Sequence, residues 1–150
     1  MGLFSPEQFM DVQVEGASST EFVPVPVGEY TAVSSDPEIV AWSSKDGSKN
    51  GLKLSLKWDI DDPAVKQLLE RDKVTVKQDI MLDLTETGGL DMGKGKNVNL
   101  GRLREACGLN VPGQPFSFRM LGGQIAKVRV EHRIVDGAPF AEIKAVSKMA

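Results

Sequence analysis

Four groups of residues in this 150-residue chain have types or spacings that could carry chemistry. The first is Gly93-Lys94-Gly95-Lys96-Asn97-Val98-Asn99-Leu100-Gly101. Counted from Gly88, the G-x-x-x-x-G-K spacing of a phosphate-binding loop is met by Gly93 and Lys94. The next position must offer a hydroxyl to magnesium, and Gly95 has no side chain. A dinucleotide fingerprint begun at Gly93 and Gly95 needs its third glycine where Val98 stands. What remains is a flexible basic loop that runs into a helix. The second group, Asp59, Asp61 and Asp62, has the oxygen ligands of a hard-cation site. Asp62, however, reads as a helix cap, and strand parity turns Asp59 outward. His132 is the only histidine and shares the parity of Val128, Val130 and Ile134, so it reads as a packed or hydrogen-bonded side chain. Cys107, the only cysteine, reads as a small buried hydrophobe and allows neither an intrachain disulfide nor a multi-cysteine zinc site. No nucleophile elbow or paired acid and base appears. The expectation is a protein that is not an enzyme, with no cofactor and no metal.

The outward-facing cations tell more. Lys53, Lys57 and, on the following strand, Lys77 fall on one predicted outer face, and the loop before them supplies Trp42, Lys45 and Lys49. Residues 42–58 hold four bases against Asp46, and residues 91–104 hold Lys94, Lys96, Arg102 and Arg104 against Asp91, a net of +3 in each. Arg129 and Arg133 point outward on a later strand, with Glu131 between them. Ammonium groups that track phosphates, beside a ring that stacks on any base, suit single-stranded nucleic acid. The bland alternative is a set of solvated surface lysines.

These side chains must be held by elements that the periodicity predicts. Leu52, Leu54, Leu56, Trp58 and Ile60 alternate with Lys53, Ser55, Lys57 and Asp59, which is the pattern of a half-buried strand. A strand at 25–33 precedes it, with Pro24 and Pro26 at its beginning, and residues 34–50 read as a long loop. Asp62 caps a helix at 63–71 whose apolar positions are Ala64, Val65, Leu68 and Leu69. Residues 74–84 alternate again, with Gln78 the one polar inward position. A helix at 99–107 ends at Gly108, residues 116–120 form a short element, and strands at 126–135 and 140–146 are joined by the hairpin signal Asp136-Gly137. Five strands with the principal helix between the third and fourth is the order of the OB-fold, a partly open Greek-key barrel. Helices are too few for the parallel sheet on which a phosphate-binding-loop domain is built.

The chain divides into an arm at 1–21 and a domain at 22–150. Ser5, Pro6 and Gln8 mark a short helix with a capping box, followed by a linker rich in Gly and Ser. Residues 1–40 hold seven acids and no Lys or Arg, so the remainder carries eighteen bases against fourteen acids, a net of +4 hidden beneath the overall −3. An arm bearing Glu7, Asp11, Glu15 and Glu21 could lie across the basic face, or Phe4, Phe9 and Met10 could pack it elsewhere, on a second subunit for example. No apolar run approaches the length of about eighteen residues that spans a membrane, and the opening residues lack the order of a secretory signal or a myristoylation site. A single domain in a reducing compartment, without membrane association, is expected.

PVPVGEYTAV, GLKLSLKW, NLGRLREACGL and the closing VRVEHRI and EIKAV segments resemble a family of small phage-encoded proteins, over residues 24–148. That family, long catalogued as a phage domain of unknown function, has members similar to OB-fold single-stranded-DNA-binding proteins. The resemblance implies a role in phage DNA replication or recombination in the host cytoplasm, with single-stranded DNA and phage replication or recombination proteins as partners. The ending EIKAVSKMA departs from the acidic tail through which many such proteins recruit partners. The rival expectations are a structural or assembly module that uses the same barrel against protein, and a metal-dependent nuclease built on Asp59–Asp62.

Overall fold

The strict alternation around Trp58 forms β2 (Asn50–Ile60), which buries Leu54, Leu56, Trp58 and Ile60 and turns Lys57 to solvent. In the computed structural model, which describes residues 5–18 and 23–149, β2 belongs to an antiparallel five-stranded open sheet. The other strands are β1 (Gly28–Ser43), β3 (Thr75–Met81), β4 (Ile125–Val135) and β5 (Ala138–Ser147), in the spatial order β3-β2-β1-β4-β5. A few short helices complete a mainly β chain: α1 (Pro6–Phe9), α2 (Pro63–Leu69), α3 (Val98–Ala106) and a 3-10 helix at Phe118–Leu121. Among the described residues no helix is long and apolar enough to cross a membrane.

The largest departure from expectation is β1. Residues 34–50, expected as loop, are strand as far as Ser43, and only 44–49 form the turn to β2. The strand bends where Ser35 pairs with Lys57 but Glu38 pairs with Ser55, so β1 carries one extra residue. Asp36 absorbs the bulge at φ 49. Ser34, buried just before it, donates through Oγ to the Leu121 carbonyl and accepts from the Gln124 amide at 2.9 Å. Sequence reasoning discounts Ser-Ser-Asp-Pro as strand because each residue favours turns, yet the bulge needs a bend there and Ser34 finds its partners across the sheet.

β1 is shared by both halves of the sheet. Residues 28–33 pair with β4, and the run from Ala32 to Ser43 pairs with β2. The edge strands β3 and β5 come side by side without a common ladder: Gln78, Asp79 and Ile80 line one depression together with Ile143, Lys144 and Val146. α3 lies against this junction and buries Leu100, Leu103 and Ala106.

Three other boundaries move. The predicted strand at 25–33 begins only at Gly28, and the one at 74–84 ends at Met81, with Leu84 left in a single bridge to Leu90. α2 stops at Leu69, where Glu70 turns left-handed at φ 54, so Val65 is buried while Ala64 and Leu68 face solvent. The caps divide: Asp62 accepts from Ala64 N at 2.9 Å as expected, whereas the Ser5 side chain makes no capping bond. Residues 6–18 of the arm are exposed, and no ion pair among the described residues involves Glu7, Asp11 or Glu15. Phe4 and Glu21 lie outside the described residues.

The core explains the polar exception. Trp58 is fully buried, and its Nε1 donates to Gln78 Oε1 at 2.8 Å. A buried indole N–H needs an acceptor, and β3 brings Gln78 to it from the position opposite Leu56. Gln78→Leu is expected to destabilise the protein by about 1–3 kcal/mol, the cost of an orphaned buried donor. Trp58→Phe combined with Gln78→Leu should cost less than the sum of the two single changes. A denaturant-melt double-mutant cycle with simple additivity would contradict this coupling.

Candidate nucleic-acid interface

The register of β2 against β3 fixes what shares the outer face. Lys57 stands directly opposite Lys77, Ser55 opposite Asp79 and Lys53 opposite Met81. Lys53, Lys57 and Lys77 therefore lie on one face, as the alternation predicts. Two lysines facing each other across a ladder repel, and two carboxylates answer that repulsion. Asp79 lies 3.1 Å from Lys53 and 4.0 Å from Lys77, while Asp36, at the β1 bulge, lies 3.9 Å from Lys57.

The β4–β5 hairpin brings the second set. Asp136 and Gly137 both adopt positive φ, 51° and 79°, which gives the tight turn its right twist. Counting outward from that turn pairs Arg133 with Phe140 and Glu131 with Glu142. Arg133 reaches Glu142 at 3.9 Å, and Arg129 reaches Glu131 at the same distance. A cleft of about 430 Å³ runs between β3 and this hairpin, and Lys77, Asp79, Arg133, Phe140 and Glu142 line it. Lys77 and Arg133, 56 positions apart in sequence, thus meet at one groove beside an exposed aromatic ring.

Trp42 is a correction. It sits in β1 rather than in a loop, opposite Gly51 and next to Lys53 on the face already described. Its half-buried indole lies against Gly51, where a Cβ would come within 3.0 Å of Nε1. That nitrogen is covered and has no hydrogen-bond partner among the described residues. Beyond it, the 44–49 turn displays Lys45 and Lys49, both exposed and without an ion-pair partner among the described residues. Asp46 belongs to the turn itself: it accepts from Ser44 Oγ at 2.6 Å, Ser48 Oγ at 2.7 Å and Ser48 N at 3.0 Å.

Other predicted residues stand apart from the cleft. Arg129 lies farther along β4 and does not line it. Lys94 and Lys96 are exposed in the loop before α3. That loop is organised around Asn97, which is buried and left-handed at φ 52. Asn97 Nδ2 donates to the carbonyls of Asp83 (2.9 Å) and Asp91 (2.8 Å), and its Oδ1 accepts from Asp83 N (2.8 Å). The glycine-lysine stretch is therefore a structural clasp between the end of β3 and α3. No motif flags Asn97, although Asn is the non-glycine residue best suited to that backbone region.

The remaining chemical candidates have structural employment. Asp59 accepts from Thr75 Oγ1 at 2.9 Å and pairs with Lys73 at 3.9 Å. His132 Nε2 donates to the Val25 carbonyl at 2.7 Å. Cys107 is half-buried, and burial pushes its thiol up, away from the reactive thiolate. Arg104 is occupied by the Leu109 carbonyl at 3.2 Å and by the Phe116 ring at 4.2 Å. Among the described residues no group of three His, Cys, Asp or Glu is placed to hold a metal ion. Sequence reasoning missed Asp79, Glu142 and Phe140. Phe140 was accessible to it, because the Asp136-Gly137 turn fixes its register, whereas Asp79 needed the β2–β3 pairing.

No protein-family model and no curated protein sequence matches the chain.

One pH prediction follows from the turn. Hydrogen bonds from Ser44 and Ser48 hold the Asp46 carboxyl down from its ordinary 3.8 to about 2. A folded-state value below the unfolded one means that the turn's stabilisation is complete above about pH 4 and fades as pH falls toward 2. The Ser48 amide resonance should therefore titrate with a midpoint near pH 2. A midpoint at the ordinary carboxylate value would show that these bonds do not hold the charge.

Proposed function

We propose that this chain is a non-enzymatic single-stranded-DNA-binding protein of the OB type, acting in phage DNA replication or recombination. The observation that carries the reading is the cleft where Lys77 and Arg133 meet beside Phe140, continuous through Asp79 with Lys53. A sheet ordered β3-β2-β1-β4-β5, its edge strands brought together and its main helix lying between β3 and β4 in sequence, is compatible with a Greek-key barrel. In that barrel, oligonucleotides lie on the outer face of strands 2 and 3 and against the loops that join strands 1–2 and 4–5. On that reading Lys53, Lys57 and Lys77 would belong to the face of strands 2 and 3, Lys45 and Lys49 to the first loop, and Arg133 and Phe140 to the strand ends that flank the last. Phosphates would contact the cations while bases stack on Phe140 and Trp42. The resemblance of residues 24–148 to phage proteins points the same way.

One observation favours a second reading, a structural module that packs against protein. Lys53, Lys57, Lys77, Arg129 and Arg133 each have a carboxylate within 4.0 Å, so much of their charge is offset. Exposed ion pairs are worth only about 0–1 kcal/mol, and a phosphate can displace such a partner. The first reading is therefore retained.

Fluorescence anisotropy with an oligothymidine separates the two. Binding is expected to tolerate sequence change, to prefer single strands to duplex, and to weaken with salt at a log–log slope of roughly −0.7 per phosphate contacted. Trp42→Ala should weaken binding by about 1–3 kcal/mol while the fold, checked by the emission of buried Trp58, is kept. Salt-independent affinity or a preference for duplex would overturn the DNA reading, and unchanged affinity in Trp42→Ala would remove the stacking role.

A further inference from the structure

We infer that Asp79 is a built-in competitor of the nucleic-acid backbone, a carboxylate that occupies the cation site and must be displaced when a phosphate enters. The inference rests on the proposed DNA reading and adds a residue that sets affinity from within the sheet. An acidic arm lying across the face was the sequence's candidate for this role, and Glu7, Asp11 and Glu15 take no part in the ion pairs described. Asp79 does, and its placement is particular. It stands opposite the small Ser55, in the ladder position between Lys53 and Lys57, and on its own strand lies two residues from Lys77. One oxygen is 3.1 Å from Lys53 and the other 4.0 Å from Lys77, so a single carboxylate engages two of the three lysines that share the face. It lines the cleft together with Lys77, Arg133 and Phe140.

Exposure leaves these pairs open to exchange. The Asp79 side chain is 38% exposed, the Lys53 side chain 26% and the Lys77 side chain 58%, so a phosphate can approach both ion pairs from solvent. Binding is therefore an exchange, in which two ammonium groups leave a carboxylate for phosphate oxygens and Asp79 is left beside the strand it repels. Asp79 also has a structural benefit, since it offsets the repulsion between Lys77 and Lys57 directly opposite. A face of three lysines without it would bind DNA more tightly and fold less well.

The test compares full-length wild type with Asp79→Asn, using an oligothymidine at low and moderate salt. Asp72→Asn serves as a control that removes one exposed carboxylate elsewhere. Asp79→Asn is expected to bind roughly twofold to tenfold more tightly at low salt, the range set by two partly exposed ion pairs. Its salt slope should be steeper by about 0.7 for each lysine released, and its melting temperature without DNA should be lower. The gain should disappear when Lys53 and Lys77 are both replaced by Met, which separates release of these lysines from a change in net charge. Equal or weaker binding by folded Asp79→Asn, or a gain matched by Asp72→Asn, would overturn the competitor role and leave the DNA reading standing. Failure of both wild type and Asp79→Asn to bind any oligonucleotide would overturn the two together.

Discussion

The bend in β1 is the constraint on which the rest of the molecule depends. One strand must pair with β4 on one side and β2 on the other, and the two ladders overlap only at Ala32 and Val33. A straight strand of sixteen residues would span roughly 55 Å, and a sheet built on it could not bring its outer strands together. The extra residue at Asp36 and the buried Ser34 resolve this. Ser34 fastens the inside of the bend to Leu121 and Gln124, and Pro37 packs closely on Gly122, where a Cβ would approach it to 3.3 Å. With β1 turned, the edge strands β3 and β5 come near each other, and the cleft between Lys77 and Arg133 lies between them.

The electrostatics of the face follow from the same pairing. Alternation sends charged side chains outward, but it does not sort them by sign. Register does the sorting, by placing Asp79 diagonally between lysines and Glu142 within reach of Arg133. The mild positive charge of residues 41–150 is thus unevenly distributed. Lys53, Lys57, Lys77, Arg129 and Arg133 on the strands are paired with carboxylates, whereas Lys127 and Lys144 are in no ion pair among the described residues. Lys45 and Lys49 in the first turn, and Lys94 and Lys96 in the loop before α3, have no ion-pair partner among the described residues.

How much of this was legible depends on the range of the interaction. β2 declared itself because its period of two is unbroken over nine residues, and the β4–β5 hairpin did so because Asp136-Gly137 leaves little freedom in the turn. The end of α3 at Gly108, left-handed at φ 71, was likewise local. The outer half of β1 was not, since Ser34, Ser35, Asp36 and Pro37 all favour turns and only distant partners make them strand. Gln78 looked like a flaw in its strand until Trp58 supplied the reason. The lysines of the face could be chosen from parity alone, but their carboxylate partners depended on cross-strand register, which parity does not provide.

Under the proposed reading, this division of charge gives the two kinds of cation different tasks. Unpaired lysines at loop tips project potential over about a Debye length, roughly 8 Å at physiological salt, and can draw in a polyanion before contact. Paired cations on the strands contribute less at that distance, because their carboxylates offset most of the charge. At contact they can exchange partners at low cost, since an exposed pair is worth at most about 1 kcal/mol. A face organised in this way would resist loose adsorption of any acidic surface and respond to a chain whose phosphates can reach the lysines while its bases find Phe140 and Trp42. The carboxylate-paired face is then compatible with polynucleotide binding, and its selectivity would come from requiring charge exchange and stacking together.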